Sequence, residues 1–188
     1  INGVPRRIDL ETEMIRAAFA LAVTLATLLP AAALATLPEL DGPWQPTYHP
    51  ELTIKRASGA INVDGKLDDA GWQDAATAGH FAEHNPGDQV QPPFSTQVFV
   101  TYDDENLYVA FLCQDDDPSE IRASFCRRDR IFNDDNVIVA IDTFGDATRA
   151  YELMTNPYGI QGDLLWSSGR GEDSSYDAIY HTAARITE

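Results

Sequence analysis

Residues 95–113 read STQVFVTYDDENLYVAFLC, and this stretch decides the fold class. From Thr96 to Tyr102 the side chains alternate between two faces in the period of two residues that is typical of a β-strand. The run from Leu107 to Cys113 is apolar on both faces, which favours a central strand. The polar residues 103–106 are of the kind that join antiparallel strands. This stretch therefore predicts a β-hairpin.

Comparable strand patterns follow along the chain. The segment NVIVAID (136–142) repeats the central pattern, and a shorter strand is predicted at 121–127. Further predicted strands are RAYELMTN (149–156), GIQGDLLW (159–166) and AIYHTAARIT (178–187). Strands at this spacing, with almost no helical periodicity, predict an all-β fold: an antiparallel β-sandwich that is jelly-roll-like.

One short helix is predicted near residues 68–75, inside the stretch VDGKLDDAGW (63–72). Asp68 is a candidate N-cap, and Gly65 allows a tight turn before it. Leu67 and Trp72 then have the spacing of a hydrophobic staple. This spacing favours Trp72 as a core residue, and the alternative is an exposed ring that binds a ligand.

The charge of the chain limits its partners. Thirteen lysines and arginines stand against 30 acidic residues, which gives a formal net charge of −17. Nucleic acids and anionic lipids are bound mainly through phosphate neutralisation by Lys and Arg, so we expect no nucleic-acid partner.

The amino-terminal region has the pattern of an export signal. Residues 14–35 combine Arg16, an apolar run and a small-residue site ending at Ala35, which predicts a cleaved signal peptide. A membrane anchor is the alternative, since the apolar run is just long enough to span a bilayer. Residues 1–13 are interpreted as upstream read-through. The expected location is therefore exported: periplasm, outer membrane or extracellular space.

The remainder divides into two parts. Residues 36–50 are rich in proline and predict an irregular lead-in, and residues 51–188 hold the β-sandwich. Because the strand pattern stops where a further strand pair is expected, we expect this domain to be truncated at its C-terminus.

Cys113 and Cys126 are the only two cysteines. Export makes a disulfide between them feasible, and two buried free thiols are the alternative. The sequence leaves both open.

Four segments in one order resemble a known family. They are INVDGKLDDAGW (61–72), VFVTYDDENLYVAFLCQDDDP (98–118), RRDRIFNDDNVIVAIDTFGD (127–146) and AYELMTNPYGIQGD (150–163). Together they resemble the family 9 carbohydrate-binding modules, and most closely the family-9-like N-terminal domain of large exported bacterial proteins. The resemblance implies a β-sandwich that binds a glycan chain and takes part in carbohydrate catabolism. It also implies an attached C-terminal domain.

The resemblance also implies a binding site. The position of an aromatic residue that clamps a sugar ring matches Phe132, and Asn133 follows it. Asn156 and Trp166 complete the expected ligand-binding set, with Tyr158 as an additional aromatic. A structural calcium ion at Asp134 and Asp135 is the implied metal, and a solvated acidic loop is the alternative.

The sequence thus predicts a non-catalytic carbohydrate-binding module within a larger bacterial protein of polysaccharide binding or breakdown. One alternative is a structural N-terminal domain of an outer-membrane barrel protein without sugar binding. The other is a fragment of a glycoside hydrolase, whose chemistry requires two carboxyl groups across a cleft.

Overall fold

The structure is a computed structural model that describes residues 42–46 and 50–187. The described part is almost entirely β-structure with two single turns of 3-10 helix, Ala70–Trp72 and Pro118–Glu120. The strands are β1 (Ala76–Ala78), β2 (Thr96–Tyr102), β3 (Leu107–Cys113), β4 (Val137–Ile141), β5 (Arg149–Thr155), β6 (Gln161–Ser167) and β7 (Gly171–Asp173). The predicted all-β class is confirmed.

The strands form two antiparallel sheets, as a β-sandwich requires. One sheet has the order β1–β2–β3 and the other β4–β5–β6–β7. The predicted hairpin joins β2 to β3, with Tyr102 opposite Leu107. Its turn is closed by Asp103, whose Oδ1 accepts the backbone N–H groups of Glu105 and Asn106, each at 2.8 Å. The aspartate therefore fixes the register that the alternating pattern requires.

The two strands predicted to be central lie at sheet edges. Among the described strands, β3 and β4 each have one paired neighbour, and Leu107 and Ile138 remain 53% and 47% exposed. The central assignment is therefore wrong for this part of the chain. Apolar side chains on both faces of a strand indicate that other parts of the protein pack on both faces. They do not indicate how many neighbouring strands are hydrogen-bonded to it.

The predicted strands at 121–127 and 178–187 are irregular in the structure. Side chains fix both segments where a backbone ladder was expected. The Tyr180 hydroxyl lies within hydrogen-bonding distance of two carbonyl oxygens, those of Gly162 at 2.7 Å and Met154 at 2.9 Å, and its one hydrogen is shared between them. Arg185 then donates from Nε to the Asp64 carbonyl oxygen at 3.0 Å. The last described segment thus connects the four-stranded sheet to the loop before the first 3-10 turn.

Two apolar clusters form the core, one on each sheet. Trp72, Ala75 and Phe99 are the buried centre of the first. Partly buried residues pack around this centre: Ile61, Leu67, Tyr108 and Ala110. Ile131, Met154 and Leu164 are the centre of the second, with Cys126, Ile160 and Trp166 against it. Burial of these side chains is the main stabilising contribution to each sheet.

The predicted short helix exists as one 3-10 turn, and its cap differs from the prediction. Asp69, one residue later than expected, precedes the turn and makes no capping bond. Its carboxylate instead accepts the backbone N–H of Asn62 at 2.7 Å. Leu67 packs against the cluster that contains Trp72, so the core role of Trp72 is confirmed. Because the cap is Asp69, Leu67 lies two residues before it, and the predicted staple register is wrong by one residue.

Both cysteines are free thiols. Cys113 is exposed at the end of β3, whereas Cys126 is half-buried against the Ile131 cluster. The free-thiol alternative therefore describes the structure, although only Cys126 is covered.

The predicted signal peptide and the segment 1–13 lie outside the described residues. Within the described ranges, no helix has the length and apolar character that crossing a membrane requires.

Candidate functional site

An aromatic stack stands on the surface beside the four-stranded sheet. The rings of Phe125 and Tyr158 lie 4.3 Å apart at their centroids and 9° from parallel. Phe125 is 83% exposed and Tyr158 41% exposed. The apolar ring of Phe125 is thus exposed to solvent and stacks on the ring of Tyr158.

Asn156 holds both members of this stack. It is 1% exposed, and its Nδ2 donates to the carbonyl oxygen of Ser124 at 3.0 Å, next to Phe125. Its Oδ1 accepts the backbone N–H of Tyr158 at 3.0 Å and that of Ile160 at 2.9 Å. The second Nδ2 hydrogen goes to Asp134 at 2.8 Å. All the hydrogen-bonding capacity of this amide is used inside the protein, so Asn156 positions the stack and offers no group to a sugar.

Asp134 and Asp135 fasten the segment before Phe125 to the residues before β4. Asp134 accepts from the backbone N–H and the hydroxyl of Ser124, at 3.0 and 2.9 Å. Asp135 accepts from the backbone N–H of Arg122 at 2.8 Å and from its guanidinium at 3.1 Å. The bond from Asn156 is the first cause that lowers the pKa of Asp134, followed by the bonds from Ser124. The carboxylates predicted to bind calcium therefore already accept protein donors, and the calcium site stays a prediction.

Phe132 and Asn133 point outward because Ile131 anchors the loop before them. Ile131 is fully buried, and it packs against Gly162, where an added Cβ would approach Ile131 Cγ1 to 3.1 Å. Phe132 is 49% exposed, and Asn133 is exposed. Ser124 precedes Phe125 and binds Asp134, which comes two residues after Phe132, so the segments that carry the two phenylalanines meet at this bond. We call Phe125, Phe132, Asn133 and Tyr158 the aromatic surface.

Trp166 has a different environment from the aromatic surface. It lies on β6 opposite Ala150 and Glu172, and it packs against the Ile131 cluster. Its ring is partly buried. The structure therefore gives Trp166 a packing role on the sheet.

The strongest charge cluster in the described part of the chain joins Arg128, whose side chain is 32% exposed, to the fully buried Asp163. Arg128 donates from Nε to Asp163 Oδ1 at 2.9 Å and from a terminal nitrogen to Gln161 Oε1 at 2.7 Å. Asp129, Asp163 and Asp177 bring carboxylate oxygens within 4.8 Å of one another, close enough for a metal. The Arg128 guanidinium lies among them, 4.0 Å from Asp129 and 3.8 Å from Asp177. A guanidinium thus supplies positive charge among these three carboxylates.

Comparison with known families decides the assignment. The family model described as carbohydrate family 9 binding domain-like matches residues 63–186. The chain belongs to this family. Searches of curated proteins and of solved structures gave no match. The matched region of this family 9-like domain contains both sheets and the entire aromatic surface.

Sequence reasoning found part of the aromatic surface. Phe132, Asn133 and the additional aromatic Tyr158 are on it, whereas Asn156 lies beneath it and Trp166 packs elsewhere. Phe125 was missed because the segment 121–127 was interpreted as a strand of the sheet. No periodic pattern in the sequence marks Phe125, because side-chain bonds to Asp134 and Asp135 hold its segment.

Proposed function

We propose that this family 9-like domain binds a neutral glycan by stacking a pyranose ring on the aromatic surface. The observation that carries the proposal is the Phe125–Tyr158 stack, with most of the Phe125 ring open to solvent. Single exposed apolar side chains are common on protein surfaces, whereas adjoining ones that form a patch mark interaction sites. Family membership favours a carbohydrate as that partner.

The chemistry of the surface suits a sugar. One face of a pyranose carries mainly C–H groups, which pack on an aromatic ring, while its rim of hydroxyl groups seeks polar partners. Asn133 follows Phe132 in the chain and is exposed, and the Arg122 guanidinium, three residues before Phe125, is 75% exposed, so both carry donors that solvent can reach. Because Asn156 and Asp134 already fix the stack, little conformational entropy is lost when a sugar binds. An open site of this kind is expected to give dissociation constants from about the micromolar to the millimolar range.

Affinity electrophoresis of the 188-residue chain in gels containing soluble polysaccharides tests this function. We expect retardation by at least one neutral polysaccharide. Phe125→Ala and Phe132→Ala should each weaken binding by about 2- to 10-fold, because one ring contact contributes about 0.5–1.5 kcal/mol.

Phe144→Ala is the matched control for both variants. Phe144 is 65% exposed, but it lies in the loop between β4 and β5 and packs beneath the Arg149 guanidinium. Equal retardation of all four proteins would remove the aromatic surface as the site. No retardation by any polysaccharide would favour the structural alternative.

We also propose that the domain is exported as part of a larger protein without catalytic chemistry of its own. The support is the signal-like sequence of residues 14–35 and the binding-module family. Expression in a bacterial host followed by mass spectrometry of the exported product should give an N-terminus at Thr36. A product that retains residues 14–35 in the membrane fraction would favour an anchor.

A further inference from the structure

A concave cleft lies at the end of the three-stranded sheet. It encloses about 470 Å³ between the Pro92–Pro93 segment, the first residues of β2 and Gln114, which follows β3. Three aromatic rings line it: Trp44, Phe81 and Phe94. This volume lies within the range of about 300–1,000 Å³ that is typical of small-ligand sites.

The polar side chains that line the cleft are mostly uncharged, in contrast to the strongly acidic composition of the chain. Three of the seven glutamines in the sequence line it: Gln91, Gln97 and Gln114. Of the described residues in its lining, only Asp116 is acidic, although the whole sequence has 30 acidic residues. Amide groups both donate and accept, so they match sugar hydroxyl groups better than ions.

Its walls are fixed by specific contacts. The Trp44 indole N–H donates to the Phe81 carbonyl oxygen at 3.0 Å. Ser95 donates from its hydroxyl to Gln114 Oε1 at 2.6 Å, which orients that amide. His80, also in the lining, has a φ of 55°, a left-handed conformation that is uncommon for a residue other than glycine. Such conformations concentrate at ligand sites, where the surrounding structure maintains them.

We propose that this cleft is a second glycan site, which holds a neutral pyranose unit between aromatic rings and glutamine amides. The inference deepens the proposed function and rests on it. The rings supply stacking surfaces, and Gln91 and Gln97 supply the hydrogen bonds that fix orientation. The cleft and the aromatic surface share no residue, so each can be removed by its own substitution.

Fluorine NMR of the chain labelled with 5-fluorotryptophan tests the cleft directly. The sequence has three tryptophans, and each resonance is assigned with a Trp→Phe variant. Cello-, xylo- and malto-hexaose are the probes. We expect one of them to shift the Trp44 resonance, while the resonance of buried Trp72 stays unchanged. Phe94→Ala and Gln97→Leu should each raise the dissociation constant from this shift by about 2- to 10-fold.

The double variant Phe125→Ala, Phe132→Ala separates this inference from the proposed function. Retention of the Trp44 shift in that variant supports a second site. The cleft proposal is overturned if the wild type shows no Trp44 shift and the double variant no longer binds the hexaose. The proposed function then stands. No binding of any hexaose at millimolar concentration overturns both. A Trp44 shift produced by a proline-rich peptide and by no sugar assigns the cleft to a peptide and also overturns the inference.

Discussion

Arg128→Met is expected to lower the free energy of unfolding by about 3–5 kcal/mol, because it leaves a buried carboxylate without its counter-charge. Asp163 is fully buried and receives two guanidinium bonds from Arg128. The same guanidinium donates to the Ala178 carbonyl oxygen at 2.7 Å and lies over the Tyr180 ring at 5.3 Å. Replacing the guanidinium therefore also removes the contacts that hold residues 178–180 against β5 and β6. Urea unfolding monitored by circular dichroism measures the change.

Two further variants show whether the buried charge is the cause. Arg56→Met removes an exposed ion pair with Asp104, and surface pairs of this kind contribute little, so the urea midpoint should hardly move. Adding Asp163→Asn to Arg128→Met removes the unpaired charge and should recover part of the loss. Equal effects of Arg56→Met and Arg128→Met would contradict this explanation.

Trp72→Ala is expected to destabilise the chain by about 3–5 kcal/mol, because it opens a cavity in the centre of the first cluster. Trp72 is 5% exposed, and it meets Tyr108 edge-to-face with ring centroids 6.4 Å apart. The neighbouring backbone leaves little freedom to collapse. At Gly71 an added Cβ would lie 2.7 Å from the Gly59 carbonyl oxygen and would also clash with the Ile61 side chain.

Trp72→Phe provides the comparison for that cavity. The indole N–H of Trp72 is buried and has no hydrogen-bond partner among the described residues. Replacing it with phenylalanine removes a desolvated donor while most of the ring remains, so the loss should be much smaller than for alanine. Differential scanning calorimetry measures both variants. A Trp72→Phe variant as unstable as Trp72→Ala would indicate that the N–H makes a bond that the structure lacks.

The fold was predictable where one local pattern determines it. The alternation in 96–102 and the polar turn at 103–106 specify a hairpin without help from distant residues. The edge positions of β3 and β4 were not predictable, because hydrogen-bonded neighbours depend on the whole chain. Residues 121–127 look strand-like in sequence, but Asp134 and Asp135 bind this segment through side chains. Such long-range polar contacts leave no periodic trace.

The candidate site was predictable to a smaller extent. Phe132 was found because the family resemblance marks its position, and its exposure follows from the buried neighbour Ile131. Asn156 was assigned to the ligand from the family resemblance, yet four internal hydrogen bonds occupy its amide. Sequence alone reports the chemistry of a side chain, whereas burial decides whether a ligand can reach it.

Proton NMR of a bound hexaose tests stacking on the aromatic surface most directly, because an aromatic ring shifts the resonances of protons above its face upfield. We predict that the C–H protons on one pyranose face shift upfield in the presence of the wild-type chain and of Phe144→Ala. The shift should diminish with Phe125→Ala. In a chain that also carries Phe94→Ala, an upfield shift that is unchanged by Phe125→Ala, or a hexaose that binds without any such shift, would contradict stacking on this surface.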